Sequence, residues 1–187
     1  GITGVAYDDT FPITVERSTH THIIGNTILN DITATEGVGI YIDGFKYIVK
    51  DNIIRNFGEA GVKPSGDLVQ SLFEDNQIYT DSQYTIGTDN RGFDFTSVNF
   101  QDVEIIGGII DVDGEPIYLN AVNATVNSGL NMTDNSLTFK GVNTKSNTQS
   151  YIRNAQKTLF KDNIFTQRVT VNGTTTNNLT FDKNTFH

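Results

Sequence analysis

One short pattern recurs seven times along this chain, and it constrains the fold more than any other feature. In each copy, an apolar residue stands three positions before the second member of a turn-forming pair, and another stands two positions after it. The second members are Asn26, Asn52, Asn76, Gly108, Asn135, Asn163 and Asn184. Because strand residues alternate between two faces, apolar residues on both sides of a bend can share one core. The pattern predicts short strands meeting at tight corners, where Asn or Gly adopts the left-handed backbone.

The spacing of these corners indicates a solenoid. Successive corners lie 21 to 32 residues apart, which suits a coil of three short strands and is too short for a propeller blade of roughly 40 residues. The 187 residues include 25 Thr, 20 Asn and 20 Ile but only 6 Ala and 8 Leu, a composition that favours strands and turns over helices. We expect the corner Asn side chains to be buried and stacked from coil to coil.

A second type of segment lies between the corners and predicts the third strand of each coil. Its copies are GVGIYIDG at 37–44, AGVKPSG at 60–66, RGFDFTS at 91–97, EPIYLNA at 115–121, QSYIRNA at 149–155 and QRVTVNG at 167–173. With these strands and stretches such as GIYIDGFKYIVKDNIIRNF, residues 20–187 resemble the pectate-lyase-like superfamily, with repeats of its carbohydrate-binding and sugar-hydrolysing type. The resemblance implies an all-β fold, a single-stranded right-handed parallel β-helix of about seven coils. We expect residues 1–187 to form one such segment of a longer protein.

Charge and composition exclude several classes of function. The chain has 13 basic and 22 acidic side chains, a net charge of −9, which argues against a nucleic-acid partner that needs a basic face. Without cysteine it has no disulfide, thiolate metal site or cysteine nucleophile. No apolar run approaches the roughly 18 residues of a membrane span, so we expect no membrane insertion.

Strand alternation predicts a stripe of polar and aromatic side chains on the outer face of the third strand. The candidate saccharide-binding residues are Tyr41, Tyr118, Asn120, Tyr151, Arg153 and Arg168, and the candidate catalytic residues are Asp43, Lys63 and Asp94. Rings can stack on sugars, and charged or amide groups can bind hydroxyls and carboxylates. The alternative interpretation is an ordinary solvated face.

Two mechanisms of cleavage are open at this stripe. Asp43 and Asp94 would lie two coils apart, about 9.6 Å, near the upper end of the roughly 6.5–9.5 Å of an inverting glycosidase pair. A lyase would instead use Lys63, Arg153 or Arg168 as a base and neutralise a uronate carboxylate. Separate surface charges without catalytic function are the third interpretation.

One acidic turn is a candidate calcium site. Asp111 and Asp113 alternate with apolar residues and face outward, with Glu115 nearby, so three carboxyls could hold Ca²⁺. A solvated turn is the alternative, and we expect no other cofactor.

The resemblance implies a bacteriophage tailspike or appendage on the virion surface that binds, and in some members degrades, bacterial surface polysaccharide. A secreted bacterial polysaccharide lyase or hydrolase, acting extracellularly, is the second hypothesis, and a non-enzymatic adhesin or filament module is the third. Tailspike-like rods are commonly homotrimers. Residues directly after the corners should point outward, so Ile53, Ile109 and Ile164 are candidates for a self-association face.

Overall fold

The computed structural model describes residues 3–6, 13–30, 37–80, 89–120, 137–174, 176 and 178–187. This part of the chain contains no helix, and its strands are β1 (Thr3–Ala6), β2 (Ile13–Thr19), β3 (His22–Ile24), β4 (Thr27–Asn30), β5 (Val38–Phe45), β6 (Ile48–Lys50), β7 (Ile53–Arg55), β8 (Ala60–Glu74), β9 (Gln77–Tyr79), β10 (Arg91–Thr96), β11 (Phe100–Ile106), β12 (Ile109–Asp111), β13 (Ile117–Asn120), β14 (Leu137–Lys140), β15 (Asn143–Thr144), β16 (Ser150–Arg153), β17 (Thr158–Lys161), β18 (Ile164–Phe165), β19 (Val169–Asn172), β20 (Thr180–Asp182) and β21 (Thr185–Phe186).

These strands fall into three columns along the axis of a parallel β-helix. The first column, before each corner, contains β3, β6, the second half of β8, β11, β14, β17 and β20. The second column, after each corner, contains β1, β4, β7, β9, β12, β15, β18 and β21. The third column contains β2, β5, the first half of β8, β10, β13, β16 and β19. Strands pair in parallel with their counterparts one coil away, and β8 continues from the third column into the first, so these two columns form one sheet.

The interior of the coils is apolar and is built from alternate residues. In β5, Ile40 and Ile42 are fully buried, while Tyr41 between them is half-buried. Aromatic residues also stack from coil to coil. The rings of Phe139, Phe160 and Phe181 are nearly parallel, with successive centroids 5.1 and 4.9 Å apart. The all-β solenoid predicted from the sequence is therefore confirmed, with its core between the three columns.

The described corner Asn side chains stack as predicted, and Asn26, Asn52, Asn76 and Asn163 are buried. Nδ2 of Asn26 donates to Oδ1 of Asn52 at 3.0 Å, and Nδ2 of Asn52 donates to Oδ1 of Asn76 at 2.9 Å. Near the other end, Nδ2 of Asn163 donates to Oδ1 of Asn184 at 2.9 Å. The same amide oxygens accept backbone N–H groups from the preceding coil. The ladder thus provides hydrogen-bond partners for buried polar groups that would otherwise be costly.

The left-handed residue of the corner is not the Asn. Positive φ occurs one position earlier, at Asp51 (55°), Asp75 (51°), Asp162 (54°) and Lys183 (53°), and none of the described corner Asn residues has a positive φ. The prediction that Asn supplies the left-handed backbone is wrong at these corners, although Gly108 does have a φ of 82°. The preceding residue makes the bend, and the Asn contributes the amide that joins the coils.

One predicted corner is displaced along the chain. β14 aligns with β11 and β17, which places Val142 between Gly108 and Asn163 in the ladder. The backbone N–H of Val142 donates to Oδ1 of Asn163 at 2.9 Å. The prediction of this corner at Asn135 is therefore wrong, and Asn135 itself lies outside the described residues. The coil from Ile109 to its partner Asn143 is 34 residues long.

Small residues set the distance between the second and third columns. Gly39, Gly61 and Gly92 stand near the beginning of successive third-column strands. A Cβ on Gly61 would clash with Cγ2 of Ile78, and each of the other two glycines faces an isoleucine in the same way. These glycines let second-column side chains pack directly under the third-column strands, which fixes the position of the outer face described next.

Candidate functional site

The outer face of the third column carries two rows of polar and aromatic side chains, with one residue per coil. The first row consists of Tyr41, Lys63, Asp94, Tyr118, Tyr151 and Thr170, and the second of Thr96, Asn120, Arg153 and Asn172. We call these two rows the third-column face. It brings together most of the residues that the sequence singled out, and Asp43 and Arg168 lie beside it.

Arg91, which the sequence analysis did not single out, organises the centre of this face. Its Nη1 donates to Oδ2 of Asp94 at 2.9 Å and lies 3.2 Å from Oδ2 of Asp89. Its Nε donates to Oε2 of Glu115 at 3.3 Å. Its guanidinium carbon lies 3.7 Å from the ring centroid of Tyr118, within cation–π range. The signal in the sequence was an Arg three residues before an outward Asp in RGFDFTS.

Asp94 is a buried carboxylate with both oxygens occupied. Its side chain is 1% exposed, Oδ2 accepts from Arg91, and Oδ1 accepts from Oγ1 of Thr96 at 2.6 Å. Burial lowers the pKa of Arg91, but the hydrogen bond to Asp94 and the nearby acidic charges outweigh it and raise that pKa above its ordinary value. Arg91 therefore stays cationic, and removing it would leave Asp94 buried without its main partner.

The two tyrosines of the face form a stack. The rings of Tyr118 and Tyr151 are 13° from parallel, with centroids 5.6 Å apart. Arg91 approaches Tyr118 from the coil before it and Tyr151 approaches from the coil after it, so both faces of the Tyr118 ring are covered. Tyr151 has only the small side chain of Thr170 in register on its far side. Its hydroxyl accepts from Nδ2 of Asn172 at 2.8 Å.

The register separates the three predicted catalytic residues. Val62 pairs with both Ile40 and Phe93, so Lys63 lies level with Tyr41 and Asp94, whereas Asp43 lies two residues further along β5. Two residues add about 6.6 Å along the strand to about 9.6 Å across two coils, which places the two Cα atoms about 12 Å apart. Asp43 is therefore not directly in line with Asp94 across the coils, and their action as an inverting pair stays a prediction.

Lys63 and Asp43 each have their own local contacts. Nζ of Lys63 forms an ion pair with Oε1 of Glu59, four residues earlier. The carboxyl of Asp43 packs against Gly66, where a Cβ would come within 2.6 Å of Oδ1. The backbone carbonyl of Asp43 accepts from the Tyr47 hydroxyl at 2.6 Å. These contacts involve different neighbours for the two side chains.

Two guanidinium groups lie toward the C-terminal end of the face. Arg153 is exposed, and Asn120 and Asn172 flank it in register. Arg168 precedes β19 and is also exposed, and its Nε donates to Oε1 of Gln149. Neither arginine forms an ion pair with a described carboxylate. Both can therefore donate to a ligand.

The acidic turn does not assemble the predicted calcium ligands. Asp111 and Asp113 are exposed, as the alternation predicts, but Oε2 of Glu115 accepts from Arg91 instead. The backbone N–H of Asp113 donates to Oγ1 of Thr80 at 2.7 Å. The described residues contain no group of three or more His, Asp or Glu side chains placed to hold a metal ion.

The second column has an outward row directly after the corners. Its residues are Thr27, Ile53, Gln77, Ile109, Asn143, Ile164 and Thr185. Ile53 and Ile109 are half-buried, and Ile164 is 37% exposed. The predicted outward orientation of these isoleucines is confirmed, with polar residues between them.

Comparison of the chain with known protein families, curated proteins and solved structures gives no match. Within its described residues, no helical segment has the length and apolarity needed to span a bilayer. The candidate functional site of the described residues is therefore the third-column face.

Proposed function

We propose that the third-column face binds bacterial surface polysaccharide, and that the chain is the β-helical segment of a tailspike or appendage on a virion surface. The resemblance of the repeats to carbohydrate-binding β-helices supports the class of ligand. Coils of unequal length, from 21 to 34 residues, are in keeping with a natural rod of this kind. Its site of action is extracellular.

The observation that carries this proposal is the fixed ring of Tyr151. One face of the ring packs on Tyr118, which in turn lies on Arg91, so the ring is held before any ligand arrives. A ring that is already ordered loses little conformational freedom on binding. Asn120, Arg153 and Asn172 surround it with the donors and acceptors that sugar hydroxyls need.

The geometry favours binding over cleavage. A general acid or base must reach the proton it transfers, directly or through one water. Asp94 is buried between Arg91 and Thr96, and Lys63 is paired with Glu59. Asp43 lies two residues further along the strand than the row that contains Lys63 and Asp94. The face offers contact groups to a polysaccharide without converging catalytic groups.

The central test compares two tyrosines that lie on different faces. Tyr79 is a half-buried second-column residue with the guanidinium of Arg55 at 5.3 Å from its ring centroid, so it has its own cation–ring contact. In a binding survey of bacterial surface polysaccharides, we expect Tyr151→Ala to weaken binding by about 1–2 kcal/mol, roughly 5- to 30-fold. Tyr79→Ala should leave binding unchanged.

Equal losses in the two variants, or no loss in either, would place the binding site elsewhere. A cleavage assay on the bound polysaccharides separates the enzymatic alternatives. We expect the chain length of the polysaccharide to be unchanged. New reducing ends alone would instead assign hydrolysis, and an unsaturated ultraviolet-absorbing product would assign elimination.

We also propose that the second-column outer row packs between copies of the chain in a homotrimer. Sedimentation of the wild type and of an Ile53→Lys, Ile109→Lys, Ile164→Lys variant tests this. The wild type should associate and the triple variant should be monomeric. A wild type that stays monomeric at high concentration would remove the proposed interface.

A further inference from the structure

Charge is divided unevenly along the rod. Residues 1–136 carry 20 acidic and 6 basic side chains, whereas residues 137–187 carry 2 acidic and 7 basic side chains. We call these the acidic part and the basic part. Because the coils stack in chain order, the basic part is also one end of the described rod. The net charges of the two parts, −14 and +5, have opposite signs.

The positive charge of the basic part is not neutralised by its own coils. Its cations are Lys140, Lys145, Arg153, Lys157, Lys161, Arg168 and Lys183. None of them forms an ion pair with a described carboxylate. Lys140 and Lys161 are direct neighbours in register, an arrangement that is unfavourable for like charges.

The net charge of the whole chain does not decide what binds at this end. With a rise of about 4.8 Å per coil, the coils of the basic part extend over roughly 10–15 Å. The screening length at physiological ionic strength is about 8 Å. A ligand on the last coils therefore experiences mainly their positive charge and little of the acidic part. The net charge of −9, from which we expected no nucleic-acid partner, therefore does not describe the local charge at this end.

We propose that the third-column face selects acidic polysaccharide, with Arg153 and Arg168 binding its anionic groups on either side of Tyr151. This inference rests on the proposed function and adds the class of ligand. Arg153 lies in β16 and Arg168 directly precedes the neighbouring strand β19, four residues away in register, so their Cα atoms are about 14 Å apart. A planar guanidinium can bind a carboxylate or a phosphate through two parallel hydrogen bonds. Asn172 beside Arg153 is placed to bind a hydroxyl.

The experiment uses charged and neutral forms of the same polymers, titrated into the full chain by calorimetry. Polygalacturonate and its methyl ester test carboxylates, and phosphorylated dextran and dextran test phosphates. We expect at least one charged form to bind about tenfold or more tightly than its neutral partner. An Arg153→Gln, Arg168→Gln variant should lose about tenfold or more of that affinity.

The matched control is Lys140→Gln, Lys161→Gln, which removes the same charge from the first column. It should change affinity by less than about twofold, and circular dichroism should show both variants folded.

Equal binding of charged and neutral polymers would overturn this inference and leave the proposed function standing. No binding of any polymer would overturn both. Equal losses in the two variants, or equally tight binding of duplex DNA, would mean nonspecific attraction of polyanions and would overturn the assignment to the arginines.

Discussion

Three cations of the acidic part are paired with carboxylates of their own protein, whereas none of the cations of the basic part is paired with a described carboxylate. Lys50 pairs with Glu74 at 2.8 Å, Lys63 pairs with Glu59, and Arg91 holds three carboxylates. No such ion pair involves a described residue of 137–187. The same backbone geometry continues through both parts, so the fold does not require this difference. In the acidic part, charged side chains stabilise the structure through ion pairs. In the basic part, charged side chains can bind a ligand.

The largest expected effect comes from comparing two single variants, in each of which one arginine is replaced with methionine. Arg91→Met should lower the free energy of unfolding by about 3–5 kcal/mol, because Asp94 is then buried without its ion-pair partner. Arg153→Met removes an exposed cation without a described ionic partner and should change stability by less than about 0.5 kcal/mol. Denaturant unfolding followed by circular dichroism measures both.

A second substitution shows whether the buried charge is the cause. Adding Asp94→Asn to Arg91→Met removes the unpaired carboxylate and should recover part of the lost stability. If the two single arginine variants are equally stable, Arg91 is not structural and the contrast between the two parts fails.

The second effect concerns the Asn ladder, which is continuous from Asn26 to Asn76 and is interrupted at Gly108 and Val142 before it resumes at Asn163. The amide of Asn52 exchanges hydrogen bonds with Asn26 and Asn76, whereas Asn163 has an Asn only on the side of Asn184. We expect Asn52→Leu to cost about 3 kcal/mol and Asn163→Leu about 2 kcal/mol, since fewer polar groups lose their partners at the second site. Thermal unfolding compares them. A larger loss at Asn163 would show that ladder continuity contributes little.

The repeat predicted the coils well because its signal is local and physical. Most corners combine one residue that tolerates the left-handed backbone, one amide that joins coils, and apolar residues on both sides. The failure at Asn135 shows the limit of that signal. The segment TFKGVNT at 138–144 has Val142 where the other corners have Asn or Gly, so the pair Asp134–Asn135 matched the pattern better than the true corner did. Only the register with the neighbouring coils identifies Val142.

Alternation also predicted which third-column residues face outward, but not how they interact. The stack of Arg91, Tyr118 and Tyr151 joins residues from three coils, and coil length varies too much for sequence spacing to align them. The separation of Asp43 from Asp94 follows from the register of β5, β8 and β10, which alternation alone cannot reveal. Outward direction is a local property, whereas neighbours on a face depend on register.

The smallest expected effect concerns the outward row of the first column. This row contains one pair of neighbours with opposite charge and one pair with like charge. In the acidic part Lys50 and Glu74 are neighbours in this row and form an ion pair, and in the basic part Lys140 and Lys161 are neighbours of like charge. Lys140→Glu should stabilise the fold by about 0.5 kcal/mol, since it replaces a cross-strand repulsion with an attraction. Glu74→Lys should act in the opposite direction by creating the like-charge arrangement.

Both shifts in the denaturation midpoint should shrink in 1 M salt, where the screening length is about 3 Å. If Lys140→Glu instead destabilises the fold at low salt, the lysines of the basic part have a structural function and are not simply available to an anionic ligand.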